Sequence, residues 1–201
     1  MNKTIPLLPA QRDKAVGTLT AAFSQDVMWK AILPDTGERD RVMPMMWRGV
    51  IAYCQCYGIV STTPDIHGVA AWTKPGHAYP TLWKQLRTGF LLPKAVMLMS
   101  KPSRERFLRE MKQIDQLHRR IMPKPHWYLW ALGVAPEHQG QGIGGDLLSP
   151  TLVQAQEMGL PCYLETETED NVAFYTKRGF EVAHEEELSE SGFRLWFMTR
   201  K

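Results

Sequence analysis

Cysteine is scarce in this chain: among 201 residues only Cys54, Cys56 and Cys162 occur. An odd count without histidines at ligand spacing argues against a disulfide framework and against a zinc site, so no metal is expected. Long apolar runs are missing too. No stretch approaches the roughly 20 residues of a membrane-spanning helix, and the apolar run in residues 1–9 is short and broken by Pro6 and Pro9, unlike a secretory leader. A reduced, cytoplasmic protein with no membrane partner is the expectation. Nor is there a dense basic stripe. The net charge is +3, with lysines and arginines scattered along the chain, which speaks against nucleic acid as a partner. A mild positive balance still favours an anionic small molecule such as a phosphorylated cofactor. Internal repeats and low-complexity tracts are absent as well.

What is present is ample core material. A hydrophobic content of 44% over 201 residues can bury one substantial core, and we read residues 1–201 as a single domain, a monomer or a homodimer. A short strand is expected near Ile5, then a helix over 11–23 from the spacing of Val16, Leu19, Ala22 and Phe23. Residues 26–37 read as a loop, and a helix follows over 38–57 in which Cys54 and Cys56 look like small buried hydrophobes. The β-rich runs 58–62 and 68–73 form a hairpin. Residues 79–122 read as helical, punctuated by Pro93 and Pro102, with an apolar stripe of Leu108, Met111, Ile114, Leu117 and Ile121 that could wall a substrate pocket.

The segment 127–134 is apolar on both faces and therefore central in a sheet. Gly133 within it signals a bulge or the close approach of another group. Beyond a glycine-rich turn, Ile143, Leu147, Thr151, Ala155 and Met158 mark a helix kinked at Pro150. A strand over 162–166 follows, then a short helix capped by Asp170 or Asn171. Strands 181–188 and 193–199 close the chain as a hairpin around Ser189-Glu190-Ser191-Gly192. The pattern is that of an α+β fold.

The turn Gln139-Gly140-Gln141-Gly142-Ile143-Gly144-Gly145 lies between a strand and a helix. Its glycines let the backbone approach a bulky anion and turn several N–H groups the same way, while the helix adds the positive end of its dipole. A P-loop would place Lys-Ser or Lys-Thr after the last glycine, where this chain has Asp146 and Leu147. A Rossmann turn would stand near the start of a doubly wound sheet, against the late position here, although Glu165 lies at that motif's acidic offset. On its own the turn is compatible with anion binding or with a tight structural connection. A second element, Asn171-Val172-Ala173-Phe174-Tyr175-Thr176-Lys177-Arg178-Gly179-Phe180, narrows the choice.

Together these segments resemble the GNAT superfamily of N-acetyltransferases. Gln139-x-x-Gly142-x-Gly144, preceded by Val134 and Pro136, is similar to the superfamily's acyl-coenzyme A signature, and Asn171 to Phe180 to its last-helix pattern. Within it, the puromycin N-acetyltransferase branch is most similar, through Val134-x-Pro136-x-His138-Gln139-Gly140, Leu164-Glu165-Thr166, Phe174-Tyr175 and Trp196-x-Met198-Thr199-Arg200-Lys201. The likeness is strong from Trp127 onward. Where that branch has a tyrosine soon after Ala21-Ala22-Phe23, this chain has Asp26, which points away from puromycin as the acceptor.

The resemblance implies a mixed, mostly antiparallel sheet flanked by helices, with acetyl-CoA as co-substrate between splayed central strands. It implies that Gln139, Gly140, Gln141, Gly142, Ile143, Gly144 and Gly145 hold the pyrophosphate, and that Leu132, Gly133 and Val134 meet the pantetheine arm and the oxyanion. Asn171 would hold the arm, and Tyr175 would both touch the coenzyme and protonate the departing thiolate. The acceptor would be the primary amine of a small molecule. No acid lies between Trp127 and Val134, where many relatives keep their base, so Glu165 is the first candidate, with Glu167 and Asp26 behind it. Asp26 and Trp29 are candidate acceptor contacts, and His138 a possible coenzyme contact. Trp29, Trp47, Trp72, Trp83 and Trp130 are candidate pocket walls, with core packing as their alternative. The competing readings are an acyl-CoA-sensing module without turnover and a peptide or protein N-terminal acetyltransferase.

Overall fold

The computed structural model describes residues 3–190 and 192–201; Met1, Asn2 and Ser191 lie outside them. The elements in chain order are β1 (Ile5–Pro6), α1 (Arg12–Ala22), α2 (Val27–Ile32), α3 (Thr36–Tyr57), β2 (Gly58–Thr62), β3 (Gly68–Thr73), α4 (Leu82–Arg87), α5 (Leu91–Met97), α6 (Lys101–Ile121), β4 (Trp127–Val134), α7 (Ile143–Glu157), β5 (Cys162–Thr166), α8 (Glu169–Thr176), β6 (Glu181–Glu187) and β7 (Arg194–Arg200). The strands form one seven-stranded sheet in the order β1-β2-β3-β4-β5-β7-β6. All neighbours run antiparallel except β4 and β5.

That parallel pair is the unusual joint. It is registered only at Trp127 with Cys162 and at Tyr128 with Tyr163. β4 continues to Val134 and β5 to Thr166 without pairing, so the two strands part and leave a wedge between them. Backbone groups on the wedge side of β4 therefore lack a strand partner, which a buried main chain does not tolerate without a substitute.

Side-chain alternation divides the core between the two faces of the sheet. On one face Ala70, Trp72, Leu129, Cys162, Leu164, Trp196 and Met198 pack with Ile143, Leu147 and Leu148 of α7 and Tyr175 of α8. On the other, Val69, Ala71 and Ala131 pack with α1, α2 and α3, while Tyr163, Leu195 and Phe197 pack with Leu117 of α6. The β3 to β4 register shifts between Ala71, opposite Ala131, and Trp72, opposite Leu129. Trp130 is the extra residue, so the bulge lies there and not at Gly133. A bulge changes parity, which is why Leu129 faces α7, Trp130 and Ala131 both face α3, and Leu132 turns back toward α7.

Gly133 has a different reason to be small. A Cβ there would sit 2.8 Å from Leu19 Cδ2, 3.0 Å from Ala22 Cβ and 3.1 Å from Phe23 Cε2. The group that approaches closely is α1. Other expectations are corrected in the same way by tertiary packing. The segment 26–37 contains α2, because Asp26 caps it by accepting from Trp29 N at 3.0 Å and because Trp29 and Ile32 are buried. Thr168, not Asp170 or Asn171, caps α8, its Oγ accepting from Asn171 N at 3.2 Å. Cys54 is buried but Cys56 is exposed. Pro93 and Pro102 sit in the first turns of α5 and α6, where a missing N–H costs no helical bond. Among the described residues no helix is long and apolar enough to cross a membrane.

Replacing Gly133 by alanine should lower stability by about 1–3 kcal/mol, since α1 must shift to admit the methyl group. The midpoint of urea unfolding measures this.

Candidate active site

The glycine-rich turn folds as its composition dictates. Gly140 and Gly142 take φ of +75° and +80°, and a Cβ at either would meet nothing within 4 Å, so the backbone is open on that side. Gly142 is the residue before α7, whose first-turn N–H groups, those of Ile143, Gly144 and Gly145, have no carbonyl one turn earlier to bond. Gln139 does not point its amide at this opening. Its Nε2 donates to Val134 O at 3.0 Å and ties the turn to the end of β4. Gly144 and Gly145 are packing glycines: a Cβ would press on Phe174 at the first and on the Arg178 guanidinium at the second. Arg178, stacked 3.5 Å over Phe174 and donating to Phe174 O, brings a positive charge beside the turn. The backbone and its charge thus fit a diphosphate.

Tyr175 lies on the same face of the sheet as α7, 8% exposed, between Phe174 and Phe180. Burial raises its phenol well above the usual value and nearby Glu167 adds to the shift, so it stays protonated at neutral pH. Asn171, one turn earlier, is exposed. Leu132 and Val134 are partly buried against α7. His138 stacks on His67, ring centroids 3.6 Å apart.

On the opposite face a cavity of about 880 Å³ reaches the wedge. The period of β5 sends Tyr163, Glu165 and Glu167 to this side, and both glutamates line the cavity. Glu165 is 11% exposed, and burial pushes its carboxyl up to about 7 while the phenols of Tyr163 and Tyr128 pull the other way. Among the described residues its Oε1 accepts no hydrogen bond. Glu167 is also raised well above the usual carboxylate range, by burial first and then by the charges of Asp26 and Glu165. Asp26 is itself raised by burial, against the backbone N–H groups of Trp29 and Met28, which lower it.

Two histidines back Glu165. His126 Nδ1 lies 2.7 Å from Lys124 O, which can only accept, so that nitrogen carries the proton. The His126 Nε2 lone pair then receives His118 Nε2–H at 2.8 Å. His118 Nδ1 is left bare, 3.8 Å from Glu165 Oε1. Burial lowers His118 to about 3 and lowers His126 as well, so both are neutral. A bare nitrogen facing Glu165 complements the protonated carboxyl.

Of the five tryptophans considered as walls, Trp29, Trp47 and Trp130 line the cavity. Trp72 is fully buried in the α7 side of the core, and Trp83 is 78% exposed. The α6 stripe contributes Leu108, Met111 and Ile114. Sequence reasoning missed Asp115, His118 and Tyr128 as cavity residues. The spacing 108, 111, 115, 118 places Asp115 and His118 on the same helical stripe, and this was the available signal. Among the described residues no group of three or more histidines, cysteines or acids could hold a metal.

The architecture is an open sheet parted at its centre, with a glycine-rich turn on one side and a cavity bearing carboxyls on the other. Residues 108–180 match the model of the Acetyltransferase (GNAT) family, so this part of the chain is similar to a GNAT acetyltransferase domain. An uncharacterized N-acetyltransferase of Schizosaccharomyces pombe is 29% identical over 175 residues, covering 83% of this chain and 69% of that protein. The fold is shared with solved acetyltransferases. A protein described as histone acetyltransferase HPA2 and related acetyltransferase, from Corynebacterium glutamicum, superposes with a TM-score of 0.69 at 19% identity, covering 100% of this chain and 96% of that one. Arylalkylamine N-acetyltransferase 2 from Aedes aegypti gives 0.61 at 13% identity, covering 98% and 97%.

Glu165 carries a proton in the native state that the unfolded chain releases. Its stabilising contribution is present below pH 4.5 and is lost as pH rises through about 7. Relative to Glu165→Gln, the wild type should therefore lose up to about 3 kcal/mol across that interval, read from urea midpoints at several pH values.

Proposed function

We propose that this protein acetylates the primary amine of a small molecule by direct attack on acetyl-CoA, with Glu165 as general base and Tyr175 as general acid. The observation that carries the proposal is the placement of the two groups. Tyr175 packs on the face of the sheet that bears α7 and the glycine-rich turn, and Glu165 lines the cavity on the other face. A thioester threaded through the wedge would meet an amine from the cavity side while its sulfur leaves toward the tyrosine.

The incoming ammonium gives a proton to Glu165, whose raised affinity for protons suits a base working near neutral pH. The free amine attacks the thioester carbonyl, and main-chain N–H groups of β4 that face the wedge, in the stretch Leu132 to Val134, stabilise the oxyanion. The C–S bond breaks, Tyr175 protonates the departing thiolate, and the amide nitrogen sheds its remaining proton to solvent. Gly140 to Gly145 hold the pyrophosphate, with Asn171 beside the arm. A nitrogen acceptor agrees with the name of the fission-yeast relative. The presence of Tyr175, the position to which the resemblance gives the acid, weighs against a module that only senses acyl-CoA.

Two measurements test the proposal. Tyr175→Phe should lower kcat about 100-fold or more with coenzyme affinity retained, followed by thiol release; turnover at the wild-type rate would remove Tyr175 as the acid. Gly142→Asp, which forces a side chain onto a backbone at φ +80° and adds a charge facing phosphate, should weaken acetyl-CoA binding at least tenfold by calorimetry. Unchanged affinity would place the coenzyme elsewhere.

A further inference from the structure

The cavity also restricts the acceptor. Its walls are Trp29 of α2, Met46, Trp47 and Val50 of α3, Phe90, Leu92 and Val96 around α5, and Phe107, Leu108, Met111 and Ile114 of α6. The aromatic side is rigid: Trp29 stands edge-on to Trp47 at 5.8 Å, and Phe107 stacks on Trp29 at 6.3 Å. Met97 and Leu108 line the cavity while remaining 70% and 53% exposed, so its mouth is apolar as well.

The charged groups of the lining are strongly asymmetric. Among the lining residues Asp115, Glu165 and Glu167 stand against one lysine, Lys112, which is exposed. Gln85 is the one neutral amide among the lining residues. Asp115 is paired with Arg119 at 3.3 Å, so the lining offers an ammonium Glu165 and Glu167 at the end of β5 and apolar side chains beyond them. A substrate carboxylate would find no buried cation, and a ring of hydroxyls would lose its hydrogen bonds to water without replacement. A second ammonium at the far end would be stranded among aromatic and aliphatic side chains.

Resting on the reading of this cavity as the acceptor site, we infer that the physiological acceptor is a lipophilic monoamine: one primary ammonium held by Glu165 and Glu167 at the end of β5, and an aryl or branched alkyl body seated between α3, α5 and α6. The ammonium supplies the donor that Glu165 Oε1 lacks in the folded chain. A cavity of about 880 Å³ accommodates a body of one or two rings.

The test separates binding from turnover. Binding of 4-phenylbutylamine to the free protein is followed by quenching of tryptophan fluorescence, and thiol release from acetyl-CoA is followed for 4-phenylbutylamine, putrescine, phenylalanine and kanamycin. The expected result is a kcat/KM for 4-phenylbutylamine at least 100-fold above the other three. Met111→Glu, which puts a charge on the apolar roof, should reverse at least tenfold of the preference over putrescine. Equal or better use of the diamine, the amino acid or the aminoglycoside would overturn the inference and leave amine acetylation standing. Saturable quenching with no thiol release from any amine would keep the pocket assignment and defeat the transferase reading. Release with 4-phenylbutylamine at a rate that Met111→Glu leaves unchanged would place the apolar body outside this cavity and overturn the inference.

Discussion

Everything at the centre of this protein depends on two strands that begin as partners and then separate. β4 and β5 are joined at Trp127 with Cys162 and at Tyr128 with Tyr163, and beyond these pairs each runs on alone. Main-chain donors and acceptors are thereby exposed in the middle of a sheet, where they must be satisfied by something other than a neighbouring strand. The antiparallel partners on either side, β3 and β7, hold the two halves rigid so that the opening does not close. A thin acyl-bearing arm is a suitable filler, because it can exchange main-chain bonds with β4 while presenting its thioester to both faces.

The two faces are chemically unlike. One holds the phosphate-type turn, the dipole of α7, Arg178 and a phenol kept neutral by burial. The other holds apolar and aromatic walls with a small group of carboxyls whose proton affinity is raised by burial and by mutual repulsion. Burying these acids costs stability, and the neutral His118 to His126 pair behind Glu165 reduces that cost by accommodating its protonated form. Such an arrangement matches a reaction that must remove a proton on one side of the sheet and deliver one on the other.

The bulge at Trp130 ties these features together. It lets consecutive residues Trp130 and Ala131 face the α3 side, so that Trp130 can line the cavity, and returns Leu132 and Val134 to the α7 side. Gly133 then admits α1 against the sheet. A single extra residue thus sets both the wall of the cavity and the packing of the first helix.

Local chemistry was legible without coordinates. The order of strands and helices from β2 to β7, the bounds of β4 and β5 and the glycine-rich turn between strand and helix all follow from nearest-neighbour patterns: period 2, period 3.6, and glycines where φ is positive. Glu165 was identifiable as a candidate because it sits within a strand. What was not legible is anything carried by contacts between distant segments. The reason for Gly133 lies on α1, the helix α2 is held by burial of Trp29 and Ile32, Asp26 finds Glu167 across more than a hundred residues, and His118 meets His126 and Glu165 from three different elements. The sequence determined where glycines let the backbone turn with positive φ ahead of α7, because that property resides in consecutive residues. Only the tertiary structure decided which carboxyls are raised and which aromatic residues form a wall, because burial and electrostatic coupling depend on what the rest of the chain brings near.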